Sequence, residues 1–181
     1  MQWPVPPISR PAQLDFLEIV LTIFYFYWLY QTIISLRGFF PAATLPKASS
    51  WHRFCVLIPA HNEEKVIGPL LESLREQHYP SSHFDIYVAC DSCTDATPQI
   101  AQKYEAQVIL RHDPKRPGKT QNINFALSQI DLEQYDAIVI FDADNLAHPD
   151  FLTKMNDYLA AHPEAEAVQG YLDTKNSHDS W

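Results

Sequence analysis

Short apolar runs alternate with helical patterns along most of this chain, and this alternation restricts its fold more than any other feature. The runs predict strands at 54–58, 84–90, 107–110 and 138–141. Between them, apolar residues recur at helical spacing over 63–77, 97–104 and 120–130. Strands that alternate with helices form a mostly parallel, Rossmann-like sheet with helices on both faces. The sequence therefore predicts an α/β domain, with a further helix around 151–159 and a fifth strand over 165–172.

The fourth run predicts a strand that is buried on both faces and that ends in two acids. Asp142 and Asp144 follow the apolar residues 138–141 directly. Side chains two residues apart on a strand project to the same side, so the two carboxylates can converge. Such oxygen ligands suit Mg²⁺ or Mn²⁺, which takes one or two carboxylates and completes its shell with water and substrate phosphate. The pattern favours a metal–phosphate site, and the alternative is a solvated acidic turn with a helix cap.

Polar groups follow the other strands too, at the edge where an open α/β sheet binds its ligands. They are His61-Asn62-Glu63-Glu64, Asp91, and the basic loop from His112 to Lys119. Gly118 stands where this loop turns into a helix, so backbone N–H groups and Lys119 can face an anion together. We expect these groups around one crevice. The alternatives are a solvated turn for the basic loop and a simple helix cap for the segment 92–95.

Composition and spacing exclude several classes of protein. The net charge of -9 argues against a general nucleic-acid binder. The odd count of three cysteines gives no disulfide framework, and Cys90-x-x-Cys93 has no second ligand pair for zinc. Gly118-Lys119-Thr120 does not form a P-loop, because Asp113 stands where that motif needs its first glycine. The first strand is not followed by the G-x-G-x-x-G motif of a dinucleotide-binding fold. An Asp-x-Asp phosphatase would commonly carry its acidic pair on the first strand, whereas here the pair follows the fourth.

The N-terminal region predicts a membrane anchor. Residues 1–13 form a proline-rich tail, 14–36 a transmembrane helix and 37–53 a linker. The apolar segment has roughly the 20 residues that a bilayer span needs, and it lies too far along the chain for a simple signal peptide. The alternative is a buried or surface-lying amphipathic helix. Basic residues follow the segment more than they precede it, so we expect a single-pass protein whose domain is cytoplasmic.

Taken together, the motifs resemble those of family 2 glycosyltransferases, which are nucleotide-sugar enzymes of the GT-A fold. They occur in the order and spacing of the family: 59–64 (PAHNEE), 91–97 (DSCTDAT), 118–124 (GKTQNIN), 142–144 (DAD) and 168–170 (VQG). The likeness covers about residues 54–175, and it is strongest to the membrane-attached branch that includes cellulose, chitin and hyaluronan synthases. It implies a nucleotide-sugar-binding GT-A domain over 54–181 that is incomplete at its C-terminal end.

The resemblance also implies roles for individual residues. The residues implied to bind the nucleotide are Pro59, His61, Glu63, Asp91, Lys119 and Asp142, and those implied to hold the metal are Asp144 and Asp142. His61 replaces a frequent tyrosine and could stack on uracil, while Asp91 would hydrogen-bond the base. Cys90 departs from the usual acid at its position, and Asp95 fits better as a helix cap than as a ligand.

The implied function is an inverting transfer of sugar from a nucleoside diphosphate, most simply a UDP-linked donor, with Mn²⁺ or Mg²⁺, at the cytoplasmic membrane face. The acceptor would be a carbohydrate or a lipid, and no nucleic acid is expected. An inverting transfer needs a base, which the family supplies from a downstream acidic motif, and neither Asp173 nor Asp179 matches it. The chain is therefore expected to bind UDP with metal but to transfer little sugar. A non-catalytic, membrane-tethered nucleotide-sugar-binding module is the alternative.

Overall fold

The computed structural model describes residues 16–40 and 44–171, which fall into two compact units, Met1–Thr44 and Leu45–Trp181. The expected tail 1–13 lies outside the described residues. In the first unit, helix α1 (Phe16–Arg37) is long and apolar enough to cross a membrane, and none of its residues is buried. Exposure on all sides separates α1 from the core helix of a soluble domain. A signal sequence near the N-terminus can also meet these criteria of length and hydropathy, so α1 alone is a weak indication of a span.

The second unit contains a four-stranded parallel sheet in the order β3-β2-β1-β4. Its strands are β1 (Phe54–Ala60), β2 (Phe84–Asp91), β3 (Gln107–Arg111) and β4 (Ala137–Ile140). Its helices are α2 (Ile67–Arg75), α3 (Thr97–Lys103), α4 (Lys119–Leu127) and α5 (Phe151–Ala161). The register pairs Ala60 with Cys90 and Asp91 with Arg111, so the carboxyl ends of neighbouring strands lie side by side.

Helices cover both faces of this sheet, as predicted. Val56, Ile58 and Val88 point to one face, where they pack with buried residues of α2 and α5 in the larger core. The intervening residues point to the other face and pack with α4 in a smaller core; they are Cys55, Leu57, Tyr87 and Ala89. Alternation along a strand therefore divides the apolar side chains between two helical layers.

Strand β4 differs from the prediction because it is open on one face. Val139 packs against the larger core, but Ile138 and Ile140 are 41% and 49% exposed. The strand stands at the end of the sheet order, while α4 packs over β1, β2 and β3. The expectation of burial on both faces was wrong, because an apolar run does not reveal whether its strand is central or at an edge.

The fifth strand is also a wrong prediction over the residues that the structure describes. Residues 165–171 adopt an irregular path after α5, and Leu172 lies outside the described part of the chain. Gly170 approaches α5 so closely that an added Cβ would come within 2.9 Å of the Phe151 ring. An alternating apolar pattern becomes a strand only where a neighbouring strand supplies its hydrogen bonds, and this segment packs against a helix instead.

The last part of the predicted linker is hydrogen-bonded to α5. The Ala48 amide donates to Asp157 Oδ1 at 2.8 Å, and the His52 amide donates to Asn156 Oδ1 at 2.9 Å. Asn156 in turn donates to the Ser50 carbonyl at 3.0 Å. We call residues 48–52 the strap. It belongs to the second unit, whose boundary lies between Thr44 and Leu45.

Candidate active site

The loops that follow β1 and β2 are fastened to each other by side-chain hydrogen bonds. The Thr94 amide donates to Asn62 Oδ1 at 2.8 Å, and the Glu63 amide donates to Thr97 Oγ1 at 2.8 Å. Asp95 accepts from the Thr97 amide at 3.0 Å, so it bonds the first residue of α3 from the position before the N-cap, Ala96. Asn62 adopts a positive φ of 57°. The helix predicted from residue 63 begins at Ile67 instead, after a turn over 64–66 in which the Ile67 amide donates to the Glu63 carbonyl at 3.0 Å.

A buried polar cluster lies at the carboxyl ends of β2 and β3. Asp91 is 7% exposed, and Arg111 Nη1 donates to its Oδ2 at 2.8 Å. His61 Nδ1 lies 2.6 Å from the Asp91 carbonyl oxygen, and since a carbonyl only accepts, this nitrogen carries the proton. Ser92 Oγ lies 3.4 Å from Asp91 Oδ1. The cluster therefore brings together two predicted nucleotide-binding residues, His61 and Asp91.

Sequence reasoning missed Arg111, which falls between the predicted strand 107–110 and the basic loop that was predicted to begin at His112. The strand pattern contained a signal for Arg111. Ala89 and Ile109 pack on the α4 face of the sheet, and a residue two positions further along a strand points to the same face. Asp91 and Arg111 therefore share that face. Only the register between β2 and β3 shows that they are direct neighbours. That register is a property of the folded sheet and cannot be read from either strand alone.

The basic loop folds around Asp113. This carboxylate accepts from the Lys115 amide at 3.1 Å and from Arg116 Nε at 3.2 Å, and Arg111 lies 3.4 Å away. Partial desolvation acts to raise the pKa of Asp113, but these hydrogen bonds and charges hold it below its ordinary value. Arg111 Nη2 also donates to the Arg116 carbonyl, so the loop is tied to the cluster around Asp91.

The basic loop ends where Lys119 meets the acidic pair. Gly118 has a φ of 124°, a conformation that favours glycine, and α4 begins at the next residue. Lys119 Nζ contacts Asp142 Oδ1, and both side chains are about half exposed. Asp142 and Asp144 are exposed, whereas Ala143 between them is buried. A groove of about 1230 Å³ is lined by these three charged residues and by the open face of β4.

The acidic pair fits Mg²⁺ or Mn²⁺ better than Zn²⁺, because zinc takes three or four side-chain ligands in proteins. Within residues 16–40 and 44–171, no group of three or more His, Cys, Asp or Glu side chains could hold a metal ion. A cation that keeps water and phosphate oxygens in its shell needs only one or two carboxylates. The ammonium of Lys119 against Asp142 demonstrates that a positive charge can sit at this carboxylate. The donors therefore match the predicted cofactor in chemical type.

Cys90 and Cys93 are free thiols: Cys90 is buried in the larger core, and Cys93 contacts the loop after β1. Cys93 Sγ lies 3.4 Å from the Asn62 nitrogen and 3.7 Å from the Ala60 carbonyl oxygen. Burial raises the pKa of the Cys90 thiol to about 12, so it is protonated at neutral pH. Cys90, which stands where the family usually has an acid, is therefore a neutral, buried thiol.

The remaining predicted residues lie along the same edge. Pro59 is buried near the end of β1, and Glu63 is half-buried in the loop that follows. His61 and Asp91 form the cluster with Arg111, while Lys119, Asp142 and Asp144 line the groove beside β4. All of them lie at or beyond the carboxyl ends of adjacent parallel strands, which is where open α/β sheets bind ligands.

Comparison with known proteins finds one family over most of the chain. The sequence model described as Glycosyl transferase family 2 matches residues 55–181. Among curated proteins, the beta-monoglucosyldiacylglycerol synthase of Synechocystis sp. is 32% identical over 133 residues, which is 71% of this chain and 26% of that protein. The chain therefore spans much less than half the length of this relative.

Solved structures show a similar fold. The mannosyltransferase PcManGT from Pyrobaculum calidifontis, in complex with GDP-Man and Mn²⁺, gives a TM-score of 0.62 at 27% identity and covers 78% of this chain and 43% of that chain. The S. aureus TarS fragment 1–349, in complex with UDP-GlcNAc, gives a TM-score of 0.51 at 29% identity and covers 61% and 32%. These similarities confirm the predicted family and its GT-A type of fold.

Proposed function

The chain belongs to glycosyl transferase family 2, and from this premise we propose that it binds a nucleoside-diphosphate sugar with Mn²⁺ or Mg²⁺ for glycosyl transfer at the cytoplasmic face of a membrane. The observation that carries the proposal is the meeting of Lys119 and Asp142 at the carboxyl edge of the sheet. A basic residue at a helix start and an acidic pair at a strand end are the two halves of a site for a metal-bound diphosphate.

In this proposal each charged residue acts on a different part of the diphosphate. Asp144, with Asp142, holds the divalent ion, and Lys119 approaches the phosphates from the start of α4. A bound ion of this type neutralises the charge that develops on the leaving diphosphate. The nine-residue helix α4 directs its first backbone N–H groups to the same side, which adds to the positive potential there.

The nucleoside is proposed to occupy the cluster at the end of β2. Pro59 and His61 would line the base, Asp91 would accept a hydrogen bond from it, and Glu63 would lie near the ribose side. Asp142 would contact the ribose as well as the metal. The hydrogen bonds between the loops after β1 and β2 support this assignment, because they hold His61 and Asp91 in fixed positions before a ligand binds.

The relatives support the chemical class of donor and acceptor. Two similar structures contain GDP-Man with Mn²⁺ and UDP-GlcNAc, and one relative is named for the synthesis of a glucosylated diacylglycerol. We therefore propose a nucleotide sugar as the donor and a carbohydrate or lipid as the acceptor. Helix α1 supports a single-pass attachment to the membrane, with the second unit in the cytoplasm.

Calorimetry tests the donor site directly. The full chain in detergent is titrated with UDP and, separately, with GDP, in each case with MnCl₂ and with EDTA. We expect metal-dependent binding of a nucleoside diphosphate, and a loss of at least about tenfold in that affinity for Asp144→Asn, since a charged ligand is removed from the metal.

The exposed acid Glu72 on α2 provides the control, and Glu72→Gln should bind like the unmodified chain. Equal affinity in EDTA and MnCl₂ would contradict the proposed metal site. Binding of neither UDP nor GDP under any condition would contradict the proposed function as a whole. Release of sugar from the donor, measured with Asp144→Asn as the blank, then reports whether the bound donor reacts.

A further inference from the structure

The Asp91–Arg111 pair differs from the other ion pairs of the described residues in how deeply it is buried. The Arg111 side chain is 5% exposed and that of Asp91 is 10% exposed. Each of the other ion pairs in residues 16–40 and 44–171 includes a side chain at least 28% exposed. Burying two charges is costly, and the attraction between them often does no more than offset that cost. A buried pair at the ligand edge is therefore better explained by what it does to a ligand than by stability.

The pair divides the Asp91 carboxylate into two unequal oxygens. Oδ2 accepts from Arg111 Nη1 at 2.8 Å, a strong charge-assisted hydrogen bond. Oδ1 has the Ser92 hydroxyl at 3.4 Å, which is too long for a strong bond. A carboxylate accepts and never donates. The cluster therefore leaves Oδ1, which has only the weak Ser92 contact, as the Asp91 oxygen that can accept a further hydrogen bond from a ligand.

Arg111 cannot easily give up this oxygen. Its guanidinium also donates to the Arg116 carbonyl and lies 3.4 Å from Asp113, so three neighbours fix its plane. The flanking strands fix its position as well, because Asp91 and Arg111 are register partners in β2 and β3. A ligand with two donors would have to displace a guanidinium that is held on several sides.

The nucleobases differ in how they meet a single acceptor. Uracil presents one N–H, at N3, between two carbonyl groups. Guanine presents two adjacent donors, N1–H and the N2 amino group, which match both oxygens of a carboxylate. Cytosine and adenine place an acceptor nitrogen at the corresponding position, which a carboxylate repels. A site that hydrogen-bonds one edge rejects bases whose edge leaves its groups unpaired.

We propose that Arg111 is a positioning residue that sets the base specificity of the donor site: by occupying one oxygen of Asp91, it makes the pocket select the single imide N–H of uracil over the two adjacent donors of guanine. This inference rests on the proposed function, because it assigns a role within the same donor site. It adds a specificity-determining residue that does not itself touch the ligand.

Binding selectivity tests the proposal. The full chain in detergent is titrated with UDP, GDP and CDP in MnCl₂, and the three affinities are compared for each variant. We expect the unmodified chain to prefer UDP over GDP by about tenfold or more, the factor that one lost charge-assisted hydrogen bond produces. In Arg111→Gln both oxygens of Asp91 become available, so the preference for UDP over GDP should shrink at least threefold as a ratio.

A second variant tests the orientation of Asp91 without removing Arg111. In Asp91→Asn the arginine, which only donates, should hold the amide oxygen and turn the amide NH₂ toward the base. The preference should then move from UDP towards CDP, whose N3 accepts. This shift is expected whether or not Arg111→Gln folds, as judged by circular dichroism. A purely structural role for Arg111 would weaken the binding of all three nucleotides by a similar factor.

The exposed arginine of α2, Arg75, is the matched control, because its partner Glu105 is exposed as well. Arg75→Gln should keep the affinities and their ratio. A chain that binds UDP and GDP equally, or prefers GDP, overturns the inference while leaving the proposed function intact. So does an Asp91→Asn chain that still prefers UDP over CDP by the original factor. A chain that binds none of the three nucleotides fails the proposed function instead.

Discussion

Lys119 and Asp142 form an exposed ion pair at the position proposed for the metal-bound diphosphate. Ion pairs of such exposure contribute little to stability, because solvent screens both charges. The contact is more informative about ligands, because the Lys119 ammonium occupies an oxygen of a carboxylate that is proposed to hold the metal ion. Lys119 and a divalent ion should therefore compete for Asp142 before the nucleotide arrives.

Removing this lysine should have opposite effects on two ligands. In Lys119→Met we expect the affinity for Mn²⁺ alone to rise, by no more than about fivefold for an exposed pair. The affinity for UDP in saturating Mn²⁺ should fall at least about threefold, because one cation facing the diphosphate is lost. Free Mn²⁺ measured by electron paramagnetic resonance and calorimetry of UDP report the two quantities.

Lys115→Met is the control for that experiment, since Lys115 is exposed on the same loop and its backbone amide, not its side chain, bonds Asp113. It should leave Mn²⁺ affinity unchanged. A fall in Mn²⁺ affinity on removal of Lys119 would show that the lysine assists the metal rather than competing with it, and would contradict this account of the contact.

At the scale of elements, the strap holds α5 against the edge of the larger core. Asn156 is 1% exposed; it accepts from the His52 amide at 2.9 Å and donates to the Ser50 carbonyl at 3.0 Å. The Tyr79 hydroxyl lies 2.7 Å from the His52 carbonyl oxygen and 3.0 Å from Asn156 Oδ1, so its one proton has its shorter contact with the His52 carbonyl. Burial raises the pKa of Tyr79 to about 12, so its hydroxyl keeps the proton that it donates. The Asn156 amide therefore satisfies one backbone donor and one backbone acceptor of the strap.

Truncating that side chain should destabilise the second unit. We expect Asn156→Ala to lower the free energy of unfolding by about 2–4 kcal/mol, because it removes a fully buried side chain and leaves the part-buried His52 amide and Ser50 carbonyl without their partner. Urea unfolding followed by circular dichroism measures the change. Lys154→Ala, on an exposed position of the same helix, should change it by less than about 0.5 kcal/mol. Equal effects of the two substitutions would mean that the strap does not contribute to stability.

At the scale of the whole molecule, α1 and the sheet domain are separate compact units with different surfaces. The sheet domain carries its own two cores, whereas α1 has none of its residues buried and exposes aromatic and aliphatic side chains along its length. A helix that is apolar all round needs an apolar environment to cover it. A bilayer supplies one, which fits the proposed attachment.

Two charges in the middle of α1 should release the chain from membranes. Each arginine at the centre of a span costs about 2.5–3.5 kcal/mol on insertion scales. We therefore expect the double variant Ile23→Arg, Phe26→Arg to become extractable with alkaline carbonate, while the unmodified chain stays in the membrane pellet. Phe39→Arg is the control, because Phe39 is exposed just outside the helix.

Carbonate extraction of the unmodified chain to the same extent as the double variant would contradict membrane spanning. The proposed orientation is tested in the same membranes by protease digestion of inverted vesicles. The second unit should be digested from the cytoplasmic side, and protection there would reverse the predicted topology.

The amino-acid sequence determined the features that local pattern controls. Alternating apolar runs and helical spacing specified the strands β1 to β4 and helices on both faces, because side-chain periodicity follows from backbone geometry alone. The acidic pair Asp142 and Asp144, and the start of α4 at Gly118-Lys119, could also be recognised from the sequence, because each depends on a few adjacent residues. Because parallel strands end at one edge, even the clustering of these groups followed from the order of elements.

Tertiary structure decided what depends on neighbours distant in the chain. The Asp91–Arg111 pair requires the register of β2 and β3, and the exposure of Ile138 and Ile140 requires the place of β4 at the end of the sheet. The segment 165–171 has a strand-like pattern but lies against α5. In each case the outcome is set by which surface packs alongside, and a one-dimensional pattern carries no information about that partner.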